Sequence, residues 1–391
     1  MTSPVELPMN QWVQRLTVVF VARDVPPCGY AVYRLEAADR WQGENGRPLA
    51  VGGDPPLLTL DDVGDVGDEY LHRPPIRDLR VQLDLRAAPQ WASRQTPVRA
   101  MRVVRTQLEL PRCSTPSARA DETVACPVEV VCTTWEGVLR QDVHITVENR
   151  AMDHRLRLLV DASGRTVWAA SPYDVVMRPA RPEEEAEGAS PFHPFTLWLA
   201  AQRCDRPGTV MLAAPGLYEY EAYTNATGDI EAVGITLLRC VGQLSGRGDG
   251  PGIATLGAQC PGRHSFDIAI YETSEDWEAR QVWRQAYQFA APLLAVQAPI
   301  PGDCSVRSFL TVEPWELVVT AVKRCEDREN VVVRLFNTTH SVVGDGRVQL
   351  VGAKSRRRVN LNEEPQGDWC AGGEANLEVR SREIVTLEFA A

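Results

Sequence analysis

The chain has 391 residues, 44% apolar and 24% charged, with 52 acidic side chains against 41 basic ones and a formal net charge of −11. That length holds two or three domains with real cores, and the acidic balance argues against a nucleic-acid partner, which needs a basic face to displace phosphate counterions. No run of eighteen apolar residues occurs, and the start, MTSPVELPMNQWVQRLTVVF, has no basic segment ahead of an uninterrupted apolar stretch. Neither a membrane span nor a signal peptide is expected, and the expected location is cytoplasmic.

Alternation of apolar and polar residues dominates the chain from its start. Residues 15–22 (RLTVVFVA) have the period of a strand. Residues 61–75 (DDVGDVGDEYLHRPP) break it, being too polar and too rich in turn residues for a core strand. An active-site loop, a metal loop and a solvated connection are all consistent with that composition. Alternation returns in 79–85, 98–108, 138–147 and 155–160, and again in 230–239 and 266–271. Between them, 181–190 (RPEEEAEGAS) is expected to be a solvated acidic loop. Residues 275–291 (EDWEARQVWRQAYQFAA) lack Gly and Pro, and Trp277, Trp283, Tyr287 and Ala290 fall on helical spacing, which predicts one helix laid against a sheet. Residues 298–304 (APIPGDC) are expected to be a linker. Strands follow at 317–323, 331–336, 347–351 and 384–389.

So many strands with one helix predict a mainly β protein of packed antiparallel sheets. The expected division is a small N-terminal β segment (1–60), a large antiparallel sandwich (61–300) and a small C-terminal β-sandwich (301–391).

Little in the sequence marks chemistry. The ten cysteines form no CxxC pair, so neither a zinc ribbon nor a thioredoxin-like site is supported, and buried free thiols are expected. No HExxH, GxSxG or phosphate-binding loop occurs. His154 follows Asp153, but adjacent residues on a strand point to opposite faces, and a polar corner between strands is the expected reading. Arg247-Gly248-Asp249 is taken as a chance tripeptide. The aromatic stretch 216–223 (GLYEYEAY) suits stacking on sugar faces and suits a strand edge equally well.

Five stretches, in order, resemble one family. RDVPPCGYAVYRL at 23–35, GDVGDEYLHRPP at 64–75, VENRAMDHRLRLLV at 147–160 and ITLLRCVGQLS at 235–245 with LGAQCPGRHSFDIAI at 256–270 resemble the β region of class II α-mannosidases, glycoside hydrolase family 38. SFLTVEPWELVVTAVKRCEDRENVVVRLFN at 308–337, with REIVTLEF at 382–389, resembles that family's C-terminal sandwich. The resemblance implies a large galactose-mutarotase-like supersandwich followed by a smaller sandwich. It also implies a catalytic α/β domain upstream that holds a zinc ion and the nucleophile. No catalytic residue, metal ligand or cofactor is therefore expected in this chain, whose implied partners are an α-mannoside and a separate or upstream catalytic domain. In the family, the loop matching GDEYLHRPP projects into the cleft and its Tyr contacts the sugar, so Tyr70 is the implied substrate-binding residue. Asp68 and Glu69 flank it, to aim the loop or to touch substrate. The loop at 245–252 (SGRGDGPG) is a second candidate cleft edge. Two features depart from the family pattern: residues 36–60 are short and rich in Gly and Pro, and Leu71 stands where bacterial relatives commonly carry Asn. The implied function is the C-terminal half of an α-mannosidase-like enzyme, with a stand-alone carbohydrate-binding or structural β protein as the alternative.

Overall fold

The structure is a computed structural model that describes residues 17–34, 49, 58–87, 91–180, 191–202, 207–246, 250–296 and 306–391. The expected acidic loop at 181–190, the expected linker at 298–304 and the tripeptide at 247–249 lie outside the described residues.

Two large sheets make the main body. Nine strands run edge to edge as Asp174–Pro179, Thr166–Ser171, Trp198–Gln202, Thr209–Ala213, Gly262–Thr273, Gln141–Asn149, Thr123–Trp135, Arg99–Pro111 and Trp91–Gln95. Six more run as Phe192–Pro194, Glu219–Thr224, Ile230–Cys240, His154–Gly164, Leu58–Gly64 and Val81–Asp84. Every pairing between these strands is antiparallel. The period-two rule decides which side chains meet between the sheets. Leu58, Leu60, Leu156, Leu158, Val233 and Ile235 of the smaller sheet face Val143, Ile145, Val147, Leu212 and Ile268 of the larger in one buried cluster. The alternate residues of the larger sheet, among them Trp198, Ala200, Met211, Ala213 and Tyr271, form a second cluster on its other face.

That second face is covered from within the chain. Trp277, Val282, Trp283 and Ala286 pack onto it. The helix itself spans Trp283–Ala290, shorter than the predicted 275–291. Asp276 accepts hydrogen bonds from the backbone of Glu278 (2.8 Å) and Ala279 (3.4 Å), and Gln281 has φ of 51°, so turns rather than helix carry Trp277 onto the sheet. The segment also joins the small C-terminal sandwich. Gln281 Nε2 donates to Glu316 (2.9 Å), Trp283 Nε1 donates to the Trp315 carbonyl (3.3 Å), and Glu278 accepts from the His340 backbone (2.9 Å).

The small sandwich pairs a three-stranded sheet (Leu310–Glu313, Val343–Leu350, Glu374–Val379) with a five-stranded one (Leu317–Arg324, Val331–Asn337, Ile384–Ala390, Ser355–Val359, Cys370–Ala371). Leu335, Val348, Val379, Val385 and Phe389 fill its core. Gly29–Ala31 pairs with Val306–Ser308, which ties the N-terminal segment to the start of this sandwich.

From residue 79 onward, every strand expected from alternation has a counterpart. Two expectations fail upstream. Residues 17–22 form no strand; Val18, Val19 and Phe20 are exposed, and alternation without a neighbouring strand to bond leaves the backbone irregular. Conversely, Leu58–Gly64 (LTLDDVG) is an inner strand between His154–Gly164 and Val81–Asp84, although its acidic residues had argued against a core strand. Asp61 and Asp62 are fully buried because each meets its own hydrogen-bonding partners, an arginine among them. Asp61 binds Arg157 (2.6 Å), Arg80 and Gln82 (2.9 Å). Asp62 binds Arg119 and His154, each at 2.5 Å. A charge is tolerated inside a protein when it is paired and hydrogen-bonded, and these partners come from 57 to 96 residues away or across a hairpin.

Candidate functional site

The loop after Leu58–Gly64 is built from its own acidic residues. Asp65 is buried, and one carboxylate oxygen accepts from the backbone of Gly67 (2.9 Å) and Arg73 (3.1 Å), which closes the base of the loop. The other lies 2.9 Å from Arg239 Nε and 3.1 Å from His72 Nδ1. Burial raises the Asp65 pKa, but His72, the Arg239 charge and the Arg73 amide outweigh it, and the carboxyl sits below its ordinary value.

Asp68 closes the tip. Its Oδ1 accepts from the backbone of Tyr70 and Leu71, both at 2.9 Å, and its Oδ2 accepts from Gly246 (2.6 Å). Burial again raises the pKa, and these three amides with Arg239 bring it below normal. The Arg239 guanidinium donates to the carbonyls of Glu69 (3.1 Å) and Asp68. The Glu69 amide is directed at the carbonyls of Gln243 and Leu244 (3.2 and 3.3 Å). Gly67 is required by a close approach: a Cβ there would lie 1.9 Å from the Leu71 carbonyl oxygen. The result is a rigid hairpin tip that holds Tyr70 out into solvent, 70% exposed, with Leu71 beside it.

Tyr70 overlooks a cleft of about 420 Å³. Leu71 and His72 continue its wall, Phe192 and His193 of the sheet's edge strand form the facing side, and Tyr218, Glu219 and Arg239 complete it. The alternate residues of the six-stranded sheet supply the polar groups. Arg155, fully buried, stacks its guanidinium 3.7 Å from the Phe192 ring centroid and donates to Glu219 Oε1 (2.6 Å) and Thr236 (2.9 Å). Thr236 also donates to Glu219 Oε1 (2.8 Å). One oxygen of Glu219 is thus fixed, and the side chain stays partly open on the cleft. Arg157 bridges Glu221 (2.5 Å) and Asp61 on the same face. His193 is held below the ordinary imidazole range by burial and by Arg178.

Of the residues singled out from sequence, Tyr70 and Glu69 are exposed at the loop tip, and the Asp68 carboxylate is turned inward on backbone amides. Residues 245–246 touch the loop through the Gly246 amide. The 216–223 stretch divides its aromatic residues: Tyr220 is core, Tyr218 is exposed on the cleft. Asp153 has φ of 54° and opens the strand on which His154 is buried against Asp62 and Asn149. Sequence reading missed Arg239, which lies 174 residues from the Asp65 it holds, and no local signal could have found it. Among the described residues, no three His, Cys, Asp or Glu side chains gather into a group able to hold a metal. No helix among them is long and apolar enough to cross a membrane.

Residues 316–387 match the glycosyl hydrolases family 38 C-terminal β sandwich domain. A putative mannosylglycerate hydrolase of Halalkalibacterium halodurans is 24% identical over 361 residues, covering 85% of this chain and 38% of that relative. A solved α-mannosidase from Enterococcus faecalis V583 superposes with a TM-score of 0.72 at 25% identity, over 85% of this chain and 38% of its own length. A second E. faecalis structure, described as a family 38 protein, gives 0.71 at 25% identity, over 85% and 40%. The chain therefore spans well under half the length of these relatives, and it corresponds to the β-rich C-terminal region of the family 38 glycoside hydrolases.

Proposed function

We propose that this chain is the part of an α-mannosidase-like glycoside hydrolase that supports a catalytic domain and walls its sugar cleft, and that it has no turnover by itself. The observation that carries this reading is Tyr70. An exposed phenol is held at the tip of a loop whose carboxylates and carbonyls are committed to keeping it there. A phenol donates or accepts a hydrogen bond to a sugar hydroxyl while its ring excludes water. Glu219, braced by Arg155 and Thr236, offers a carboxylate oxygen on the same cleft, and Tyr218 offers a second aromatic face. Asp68 acts by aiming the loop.

The surroundings suit docking of a further domain. Leu71 and Ile76 are exposed next to Tyr70, and Ile253 and Leu256 are exposed on the segment bonded to the loop. Exposed apolar side chains gathered on bonded segments suit an interaction surface. In this reading the nucleophile and zinc come from the docked domain, and the ligand is an α-mannoside.

Two measurements test it. Incubation of the purified chain with an aryl α-mannoside, with and without zinc, is expected to give no hydrolysis, and zinc-dependent turnover would overturn the division of labour. Isothermal titration with mannosides is expected to show weak binding that Tyr70→Phe reduces about three- to tenfold, the worth of one hydrogen bond. Equal affinity in the variant would remove Tyr70 from the site. Tight binding by the chain alone, undiminished by the absence of a catalytic partner, would favour the alternative, a carbohydrate-binding β protein.

A further inference from the structure

His154 lies beneath the Tyr70 loop, fully buried, at the first position of its strand. Its cross-strand neighbour on one side is Gly64, the last residue of Leu58–Gly64, from which the loop departs. Its neighbour on the other side is Cys240, the last residue of Ile230–Cys240. From there residues 241–246 run on to bond Glu69 and Asp68. The loop and its brace therefore leave from either side of one imidazole.

Hydrogen-bond accounting fixes what that ring carries. Asn149 Nδ2 donates to the carbonyls of Cys260 (2.9 Å) and Gln259 (3.2 Å), and its Oδ1 accepts from the Ala151 amide (3.1 Å). A reversed amide would set an oxygen against two carbonyls and an NH2 group against an N–H. Oδ1 is thus an acceptor, and His154 Nε2, 3.1 Å from it, has to donate. On the other side of the ring, Nδ1 lies 2.5 Å from Asp62 Oδ2. The second oxygen of that carboxylate takes Arg119 Nη2 at 2.5 Å, and Arg119 Nη1 donates to the Leu79 carbonyl (2.8 Å). A guanidinium in contact favours the ionised carboxylate, which only accepts, so Nδ1 has to donate as well. The other titratable groups around the ring are Cys240 beside it in the sheet, Cys126 beside Asp62, Cys260 after the short turn Leu256–Gln259, and Asp153, whose carboxylate takes Gln259 Nε2 (2.7 Å).

We propose that His154 is a positioning residue for the Tyr70 site and that it acts as an imidazolium, with Nδ1–H donating to Asp62 and Nε2–H donating to Asn149. The cation clips three elements together. Through Asp62 it holds the strand that leads into the loop, and through Asn149 it holds the Gln259 and Cys260 carbonyls. Gln259 in turn accepts from the Asp153 amide (2.8 Å), and the Asp153 carbonyl accepts from the amide of Asp65 (2.8 Å), whose carboxylate closes the base of the loop. Loss of either ring proton turns a lone pair onto an acceptor, Asp62 or Asn149, and loosens that base. The bearing on sugar rests on the reading of Tyr70 as a cleft residue; the state of the ring does not.

The test labels the histidines of the intact chain with nitrogen-15 and records their ring nitrogens by NMR at neutral pH, with His154→Gln to assign the signal. His154 is expected to show two protonated nitrogens whose protons exchange slowly with water, where exposed imidazoles are mostly neutral. An unprotonated Nδ1 or Nε2 overturns the proposal. His154→Gln keeps a donor on one side only. Limited proteolysis is expected to nick it within 65–73 about tenfold faster than wild type, the worth of one charge-assisted hydrogen bond. Nicking of wild type is expected to rise in mild alkali as the ring loses its proton, and nicking of the variant to stay level. An unchanged rate, or the same pH dependence in both, removes the positioning role. If His154→Gln does not fold, the signal is assigned by substituting the other histidines in turn, and the wild-type spectrum alone decides. Neither readout involves a sugar, so a failure of mannoside binding counts against the reading of Tyr70 alone.

Discussion

The two large sheets share one core but finish their outer faces in opposite ways. The nine-stranded sheet turns Trp198, Met211, Ala213 and Tyr271 outward, and the chain supplies its own apolar cover in Trp277, Trp283 and Ala286. The six-stranded sheet carries Asp61, Arg155, Arg157, Glu219, Glu221 and Tyr223 at alternate positions, linked in ion pairs and lined up across neighbouring strands. An apolar face loses free energy unless it is covered, so it recruits a segment and, through it, the small sandwich. A charged face can satisfy itself by internal pairing and remain partly open, which leaves room for the cleft beside Tyr70. The difference is one of cohesion: area burial is tolerant of shape, whereas each ion pair depends on a particular partner.

The comparison can be broken most severely on the apolar side. Trp283→Ala removes a fully buried indole at the junction of sheet, helix and small sandwich. A loss of about 3–5 kcal/mol is expected in urea denaturation, with the small sandwich loosened from the main body. A loss below 1 kcal/mol would show that the junction does not depend on this cover.

On the charged side, Arg157→Met leaves Asp61 with Arg80 and Gln82 and Glu221 without its bridge. Breaking one partner of a buried pair costs about 3 kcal/mol, so a comparable but smaller fall is expected. Replacing the Arg157, Asp61 and Glu221 set together by apolar residues is expected to recover part of it, since the penalty lies in the stranded charges. No recovery would point to specific packing by the Arg157 stem instead.

A smaller effect is expected where the charged sheet gives way to the loop. Gly67→Ala forces the Leu71 carbonyl aside and is expected to cost about 1–3 kcal/mol. Because the strain is local, proteolytic nicking within 65–73 should rise well before global unfolding. An unchanged nicking rate would show that the tip is not held as tightly as its hydrogen bonds imply.

The mildest test uses acid on the small sandwich, where the buried Glu388 is paired at one point rather than in a ladder. Glu388 meets Arg328 (2.5 Å), Arg357 (2.7 Å) and Asn330 (2.6 Å). Burial raises its pKa, yet the Arg328, Arg357 and Asn330 hydrogen bonds bring it down to about 2 from 4.5. A depressed folded-state value means that the stabilisation is present above about 4.5 and is lost as pH falls towards about 2. The melting temperature of wild type should drop across that window, and Glu388→Gln should show a shallower drop from a lower start. Parallel curves would assign acid sensitivity to other carboxylates.

Much of the fold was legible because a strand's face is a local property. In 230–239 and 331–336, alternation of small numbers of side chains already states which residues turn inward, and the observed strands agree within a few residues. Alternation is only permission, however: 15–22 has the pattern, but its described part, 17–22, forms no strand. The helix was legible by its spacing and overextended, because the turn closed by Asp276 and the left-handed Gln281 compete locally with helix.

What the sequence by itself determined is the class of the molecule: antiparallel β, one helix, family 38 motifs in order, and a loop at 64–75 with Tyr70 at its tip. Tertiary structure decided which acidic residues are core and which are loop. Asp61 and Asp62 read like Asp65 and Asp68, and all four are buried, but Arg157 and Arg119 from other elements hold the first two in a core strand, while Asp65 and Asp68 each turn one oxygen onto backbone amides of their own loop and the other onto Arg239 or the Gly246 amide. It also brought Arg239, Glu219 and Phe192 to the same cleft. Period and composition are properties of neighbours along the chain, whereas the burial of a charge depends on a partner that only folding delivers.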